Sequence, residues 1–186
     1  MSKVLVIDNY DSFTYNLVHL LEGVDAEVTV VRNDELETVN FNDYRNILIS
    51  PGPGVPSGIP QVKEIVMRCY QTKNILGVCL GHQLIAECFG NEIKLSEKVF
   101  HGVATPINLI EESNLFKGLP QRFNVGRYHS WFLKTLSDNT LLSTAVSEEG
   151  HIMAFQHKEF SVYGIQFHPE SILSEFGKEI IANWLK

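Results

Sequence analysis

The chain has 186 residues, of which 44% are hydrophobic and 20% charged, so it can bury one continuous core and lacks the composition of a disordered chain. Its formal net charge of −7 argues against non-specific binding to nucleic acid or anionic lipid. No apolar run approaches the roughly 18 residues of a membrane span, and the first one is too short for a signal peptide. The three cysteines form no Cys-x-x-Cys pair, which disfavours a disulfide scaffold or zinc site. We therefore predict one cytoplasmic domain over residues 1–186.

The first half of the chain alternates short apolar strands with amphipathic helices. Strands are predicted at residues 4–7, 28–31, 47–49 and 75–78, and helices at residues 12–21, 61–70 and 80–89. Ser12 is the expected N-cap of the first helix, and Gly23 is its expected stop. Fully apolar strands separated by helices are typical of a parallel sheet that helices cover on both faces.

The second half contains apolar segments with few helices between them. Strands are predicted near residues 92–95, 103–110, 152–156 and 162–167, and a closing helix at residues 174–185. Because several of these strands follow one another without a crossover helix, some are expected to be antiparallel. The predicted class is α/β: a flavodoxin-like, open, mostly parallel sheet with helices on both faces and added antiparallel strands in the second half.

Cys79 lies between two glycines at the end of a predicted strand, where a helix is about to begin. The pattern Gly77-x-Cys79-x-Gly81 is the cysteine counterpart of the serine nucleophile elbow. A sharp turn there brings the flanking positions together, which glycines permit, and the helix N-terminus favours a thiolate. The alternative is a small buried cysteine in an ordinary turn, as Cys69 and Cys88 are expected to be.

A thiolate nucleophile needs a proton partner, and His168 is the preferred candidate. It follows the apolar strand at residues 162–167, and Glu170 is placed to orient its imidazole. The carboxyl ends of parallel strands form one edge, so Cys79 and His168 are expected to meet there. His82 is the competing histidine, although an elbow side chain projects away from the flank of the following helix. On its own, the segment at residues 168–170 is more typical of a solvated turn than of a catalytic pair.

A Pro/Gly-rich loop follows the strand at residues 47–49 and reaches the same edge. Gly52 and Gly54 allow backbone N–H groups to approach a ligand, while Pro53 stiffens the loop. These N–H groups, with that of Leu80, suit an oxyanion hole. A rigid turn without a ligand is the alternative. The loop lacks the lysine and spacing of a P-loop and does not match a dinucleotide fingerprint.

Together these motifs resemble the triad (class I) glutamine amidotransferases. The segments at residues 77–83 and 168–170 match the family's nucleophile and base motifs. The segments at residues 7–16, 51–54 and 168–174 are similar to the chorismate-pathway branch of the family. That branch comprises anthranilate synthase component II and the amidotransferase subunit of aminodeoxychorismate synthase.

The resemblance implies that Cys79 attacks the amide of L-glutamine, His168 moves the proton and Glu170 orients the histidine. It also places glutamine-binding positions at Gln83 and in the stretch Arg127–Trp131, which includes Tyr128, His129, Ser130 and Trp131. The last of these is usually leucine in the family. Residues 99–102 resemble the family's partner-facing segment. The implied partner is a chorismate-using synthase subunit in a heteromeric complex. No cofactor is expected in this subunit, whereas the synthase is expected to use magnesium. Which chorismate product is made stays open.

Two other functional classes compete with this interpretation. His168-x-Glu170 mimics half of a zinc deaminase signature, but the required Pro-Cys-x-x-Cys is absent from the sequence. A flavodoxin-like binding or redox-sensing module would explain an elbow cysteine without explaining His168 and Glu170. Release of ammonia or glutamate from glutamine separates that module from an amidotransferase.

Overall fold

The fold is a mixed α/β sheet with four helices in the described part of the chain. The computed structural model describes residues 1–136 and 139–186. The strands of the first half are β1 (Ser2–Asp8), β2 (Ala26–Arg32), β3 (Asn46–Ile49) and β4 (Asn74–Val78). The helices are α1 (Thr14–Glu22), α2 (Pro60–Cys69), α3 (Leu80–Cys88) and α4 (Gly177–Trp184). The predicted alternation of the first half is confirmed.

The second half adds seven further strands among the described residues. They are β5 (Lys94–Leu95), β6 (Val103–Leu109), β7 (Arg122–Arg127), β8 (Trp131–Phe132), β9 (Leu141–Ser147), β10 (Ile152–His157) and β11 (Val162–Ile165). The main sheet has the order β2-β1-β3-β4-β11-β10-β9-β6-β7, and β5 pairs with β8 in a separate ribbon. Strands β1 to β4 and β11 are parallel, whereas β10, β9, β6 and β7 pair antiparallel. The predicted class, with antiparallel additions, is confirmed.

The pairing of β11 with β4 positions the site. The two strands are parallel, with Ile165 opposite Val78, and the Cys79 N–H donates to the Ile165 carbonyl at 2.9 Å. Cys79 follows β4 directly, and His168 comes three residues after β11. Both residues therefore leave the same edge of the sheet, as the sequence predicted.

Two buried clusters lie on the two faces of the sheet. One contains Leu17 and Leu21 of α1 together with Ile180 and Ile181 of α4. The other contains side chains of α2 and α3, among them Val62, Ile65, Leu84 and Ile85. Each fully buried aliphatic side chain contributes about 1.5–3 kcal/mol, so both faces hold the sheet rigid beneath the loops at its edge. In the part of the chain described, no helix is both long and apolar enough to cross a bilayer.

The structure corrects the predicted start of the first helix. Helix α1 begins at Thr14, with Phe13 at the N-cap position and no capping side chain, so the prediction that Ser12 caps it was wrong. Instead, Asp11 accepts from the Phe13 N–H at 2.8 Å, and Asp8 accepts from the Thr14 hydroxyl at 2.7 Å. These two carboxylates thus accept the hydrogen bonds of the turn before α1. Gly23 ends the helix, as predicted.

Other boundaries differ in the second half. Helix α4 begins at Gly177 because Phe176 adopts a left-handed conformation with φ 58°, three residues later than the predicted start. Strands β7, β8 and β9 were not predicted, and only Lys94 and Leu95 of the segment at residues 92–95 lie in a strand. The β9–β10 pairing also contains register shifts, which break the regular alternation that a sequence pattern relies on.

Candidate active site

Cys79 is the strained residue of a tight strand-to-helix turn. Its backbone has φ 53° and ψ −100°, a conformation that side-chain-bearing residues rarely adopt. A Cβ at Gly77 would collide with the backbone of Gly81 and lie 2.7 Å from Ile85, so the turn requires a residue without a side chain. The first N–H groups of α3 have no acceptor within the helix, and they begin directly after the sulfur-bearing residue.

His168 and Glu170 form a buried pair beside this turn. The His168 Nδ1 lies 2.6 Å from the Glu170 Oε1, and both side chains are almost completely excluded from solvent. Because the carboxylate accepts, Nδ1 carries the proton and Nε2 is left to face another group. Burial lowers the pKa of His168, but hydrogen bonding and charge interaction with Cys79 and Glu170 outweigh burial and raise it above its ordinary value. Interaction with these two groups thus favours the protonated form of the imidazole.

Two aromatic rings hold the His168 imidazole edge-on. The Tyr128 ring centroid is 4.9 Å from that of His168, and the Phe13 centroid is 6.1 Å away, both in T-shaped geometry. The Tyr128 hydroxyl also lies 3.0 Å from the Ser171 Oγ. The loop before α1 and the segment after β7 therefore both restrict the orientation of the imidazole.

His82 occupies a different environment from His168. It is completely buried and packs on Phe155, with ring centroids 4.7 Å apart. Burial lowers its pKa to about 3, so its ring is neutral at pH 7. Neither ring nitrogen has a hydrogen bond of ordinary geometry within the described residues. A neutral ring embedded in the core suits packing, and the geometry therefore favours His168 over His82 as the proton partner.

The side-chain amides of Gln166 and Gln83 connect the Cys79 sulfur to the Trp131 carbonyl. The Gln166 Nε2 lies 3.7 Å from the Cys79 Sγ, within the longer range of a hydrogen bond to sulfur. The Gln83 Nε2 in turn donates to the Gln166 Oε1 at 3.2 Å and to the Trp131 carbonyl at 2.9 Å. Gln83 thus ties α3 to β8 and to the segment after β11.

The Gly52 loop is anchored by Asn9. The Asn9 N–H donates to the Ser50 Oγ and its Nδ2 donates to the Ser50 carbonyl, both at 2.9 Å. A Cβ on Gly52 would lie 2.6 Å from the Asn9 Cβ and 2.9 Å from a Leu80 methyl carbon. The loop backbone therefore approaches both Asn9 and the start of α3 more closely than any other residue type would permit.

These elements enclose a cavity of about 290 Å³. It is lined by Gly52, Gly54, Cys79, Leu80, Gln83, Tyr128, His129, Ser130 and Trp131. The volume lies at the small end for ligand sites and suits a compact polar molecule. Two larger depressions, of about 790 and 570 Å³, contain none of the site residues predicted from the sequence. Among residues 1–136 and 139–186, no three His, Cys, Asp or Glu side chains could hold a metal ion.

Most of the predicted site residues meet at this cavity. His168, Glu170 and Pro53 are not among the lining residues. His168 and Glu170 form the buried pair described above, whereas Pro53 is exposed and acts at most through the stiffness of its loop. Sequence reasoning missed Gln166 and Asn9, and it gave Tyr128 no role of its own. Gln166 carried a signal, because a polar residue between Ile165 and Phe167 interrupts an apolar strand. Asn9 follows a buried strand and lies in the segment at residues 7–16 that resembles the chorismate-pathway branch, but that resemblance assigned its side chain no role.

Comparison with known proteins decides the family. A family profile described as "Glutamine amidotransferase class-I" matches residues 5–186 of the chain. The chain belongs to the class I glutamine amidotransferases. It is 41% identical over 190 residues to "Anthranilate synthase component 2" of Cyanidium caldarium, covering 98% of this chain and 97% of that protein. It is 42% identical over 191 residues to the protein of the same name from Pseudomonas aeruginosa, covering 98% and 94%.

A solved structure agrees with this family assignment. The amidotransferase fold matches a protein from Thermoplasma acidophilum described as a subunit of GMP synthase, with a TM-score of 0.90 and 25% identity. The match covers 100% of this chain and 92% of the other. The mostly parallel sheet and its helices are therefore the fold of this amidotransferase class.

Proposed function

We propose that this chain is a glutaminase subunit that hydrolyses L-glutamine through a cysteine thioester and delivers the ammonia to a chorismate-using synthase. The observation that carries the proposal is the strained Cys79 elbow beside the buried His168–Glu170 pair. A nucleophile, a base and a group that orients the base are the three parts that acyl transfer requires.

The catalytic cycle follows from the proton positions. Glu170 holds the Nδ1 proton of His168, so Nε2 takes the Cys79 proton and the sulfur attacks the side-chain amide carbon of glutamine. The tetrahedral oxyanion accepts hydrogen bonds from the Leu80 N–H and the Gly52–Gly54 loop. His168 then protonates the leaving nitrogen, and ammonia departs to give a glutamyl thioester. Water, deprotonated by His168, attacks the thioester, releasing glutamate and restoring the thiol.

Gln83 is suited to the amino-acid end of the substrate. Its Nε2 is occupied by Trp131 and Gln166, so its Oε1 is the remaining polar atom of the amide. An oxygen with free lone pairs accepts from an ammonium group, which glutamine carries on its α-carbon. Backbone and side-chain groups of His129, Ser130 and Trp131 supply the facing wall.

A partner protein is supported by the apolar rim, defined as Leu95, Val99 and Ile172. These side chains are exposed to solvent, Ile172 by 99%. Each belongs to a segment at the site: Leu95 pairs with Trp131, Val99 precedes the Phe100 that stacks on His129, and Ile172 follows Glu170 by two residues. Exposed apolar side chains around a site that produces ammonia suit a docked protein that excludes water.

The test is glutamine hydrolysis with and without chorismate and its synthase. Release of ammonia and glutamate should depend on Cys79, so the Cys79→Ser variant should release neither product. Cys88→Ser is the matched control outside the cavity, and it should release both. Product analysis with an anthranilate synthase partner and an aminodeoxychorismate synthase partner in turn assigns the pathway. Failure of the wild-type chain to release ammonia with either partner would overturn the proposal and leave a redox-sensing or binding module as the interpretation of Cys79.

A further inference from the structure

Arg127, the last residue of β7, has a side chain that is completely buried. Its guanidinium carbon lies 3.5 Å from the centre of the Phe100 ring, and the same ring stacks on His129 at 5.3 Å. A buried guanidinium is costly unless its donors are satisfied and its charge is paired. The hydrogen-bond acceptors of the Arg127 guanidinium therefore show which groups this residue holds in place.

All three nitrogens of the guanidinium have partners. Nη1 lies 3.0 Å from Glu149 and 3.5 Å from the Thr105 hydroxyl, while Nη2 lies 3.1 Å from the His151 Nδ1. Nε donates to the His129 Nε2 at 3.1 Å. The ion pair with Glu149 reaches the surface, since that carboxylate side chain is 40% exposed, whereas the bond to His129 points toward the cavity wall.

The bond to His129 fixes where that ring carries its proton. A guanidinium only donates, so the His129 Nε2 must accept, and a neutral ring then has its proton on Nδ1. The Nδ1 lies 2.9 Å from the Trp131 carbonyl, which accepts that proton. The same carbonyl accepts from the Gln83 amide at 2.9 Å. Arg127 is thus connected through His129 to the peptide group on which Gln83 rests.

We propose that Arg127 is a positioning residue for glutamine binding, because its Nε fixes the His129 tautomer that holds the Trp131 carbonyl and, through it, Gln83. The inference rests on the proposed glutaminase function and adds a residue that positions the substrate-binding wall of the same cavity. With the opposite tautomer, the Nδ1 lone pair would face the lone pairs of the Trp131 carbonyl. That repulsion would move residues 129–131 and the Gln83 amide together.

A purely structural role for Arg127 makes different predictions. An ion pair with Glu149 needs only a positive charge, which lysine supplies, whereas the bond to His129 needs the planar fork of a guanidinium. Arg127→Lys therefore separates the two roles. Thr105→Val is the matched control, because it removes a contact to the same guanidinium and leaves the Nε donor intact.

The first measurement requires no variant. Imidazole ¹⁵N NMR of the wild-type chain should show His129 as the Nδ1–H tautomer at pH 7. In Arg127→Lys that signature should be lost or mixed, and in Thr105→Val it should persist. An Nε2–H tautomer in the wild-type chain would overturn the inference, even if Arg127→Lys failed to fold.

The second measurement compares two reagents that alkylate Cys79. A diazoketone analogue of glutamine uses the amino-acid subsite, whereas iodoacetamide does not. Arg127→Lys should raise the KM for glutamine and the half-saturating concentration of the analogue by about 10- to 100-fold, the range for one hydrogen bond to a charged group. The rates of iodoacetamide labelling and the kcat should change far less. Equal loss with both reagents, or an unchanged KM in an active enzyme, would overturn the positioning role. Absence of hydrolysis by the wild-type chain would instead refute the proposed glutaminase.

Discussion

Replacing Gly52 by alanine tests whether the close approach of the oxyanion loop matters. The change adds one methyl group at a position whose backbone conformation alanine can adopt, so its effect is steric. The new Cβ would lie 2.6 Å from the Asn9 Cβ, 2.7 Å from the Asn9 carbonyl oxygen and 2.9 Å from a Leu80 methyl carbon. Two of these atoms belong to the residue that anchors the loop.

The size of the effect follows from these contacts. Ordinary van der Waals contact begins near 3.4 Å, so the loop must move by roughly half an ångström or more away from Asn9 and Leu80. Overpacking of this kind costs about 1–3 kcal/mol of unfolding free energy. Because a misplacement near 1 Å costs about 10²-fold in rate, we expect kcat to fall by about that factor.

Urea unfolding and steady-state glutaminase kinetics measure the two effects separately. Gly58→Ala is the matched control, since a Cβ there meets nothing within 4 Å. It should keep kcat and leave stability unchanged or slightly higher, as alanine lowers the entropy of the unfolded chain. If Gly52→Ala were as active as Gly58→Ala, the N–H groups of this loop would not stabilise the oxyanion, and that part of the proposed mechanism would be wrong.

Further predictions concern the triad and the buried histidines. His168→Asn should lower glutamine turnover by about 10²–10⁴-fold, the usual contribution of proton transfer. Glu170→Gln should cost less, because an amide still orients the ring. If His82→Asn were less active than His168→Asn, the assignment of His168 as the proton partner of Cys79 would be wrong. Burial lowers the pKa of His82 and His129 to about 3, so the unfolded chain binds more protons below pH 6.5. The unfolding free energy should therefore fall with decreasing pH, by up to about 1.4 kcal/mol per unit for each histidine, in urea titrations between pH 7 and 4. A flat profile in that range would contradict their burial as neutral rings.

The parallel half of the fold could be predicted because its signals are local. Apolar runs of three or four residues mark β1, β3 and β4, and the helical period marks α2 and α3 within a residue or two. The elbow was equally readable, since crowding between Gly77 and Gly81 follows from the turn itself. Ser12 was misread because capping preference ranks residue types and cannot tell that Asp8 and Asp11 already satisfy the same turn.

The antiparallel half was harder to predict because its strands depend on their neighbours. Strand β7 alternates only partly between buried and exposed positions, since Gly126 and Arg127 are both buried at its end. Composition would place a charged residue such as Arg127 at the surface. Its burial depends on Phe100, Glu149 and His151, which lie more than 20 residues away in the sequence, as well as on the nearby His129.

A family motif identifies which positions bind glutamine, whereas the hydrogen-bond geometry explains why those positions suit the site. Resemblance to the family supplied Gln83, His129 and Trp131 as glutamine-binding positions without a reason for any of them. The hydrogen bonds supply one: the Trp131 carbonyl accepts from both Gln83 and His129, so backbone at this position serves the site whichever side chain it carries. A tryptophan at a position where the family resemblance led us to expect leucine is then compatible with the same wall. The side chain is only partly buried and is free to differ, whereas the peptide group beneath it is held from two sides.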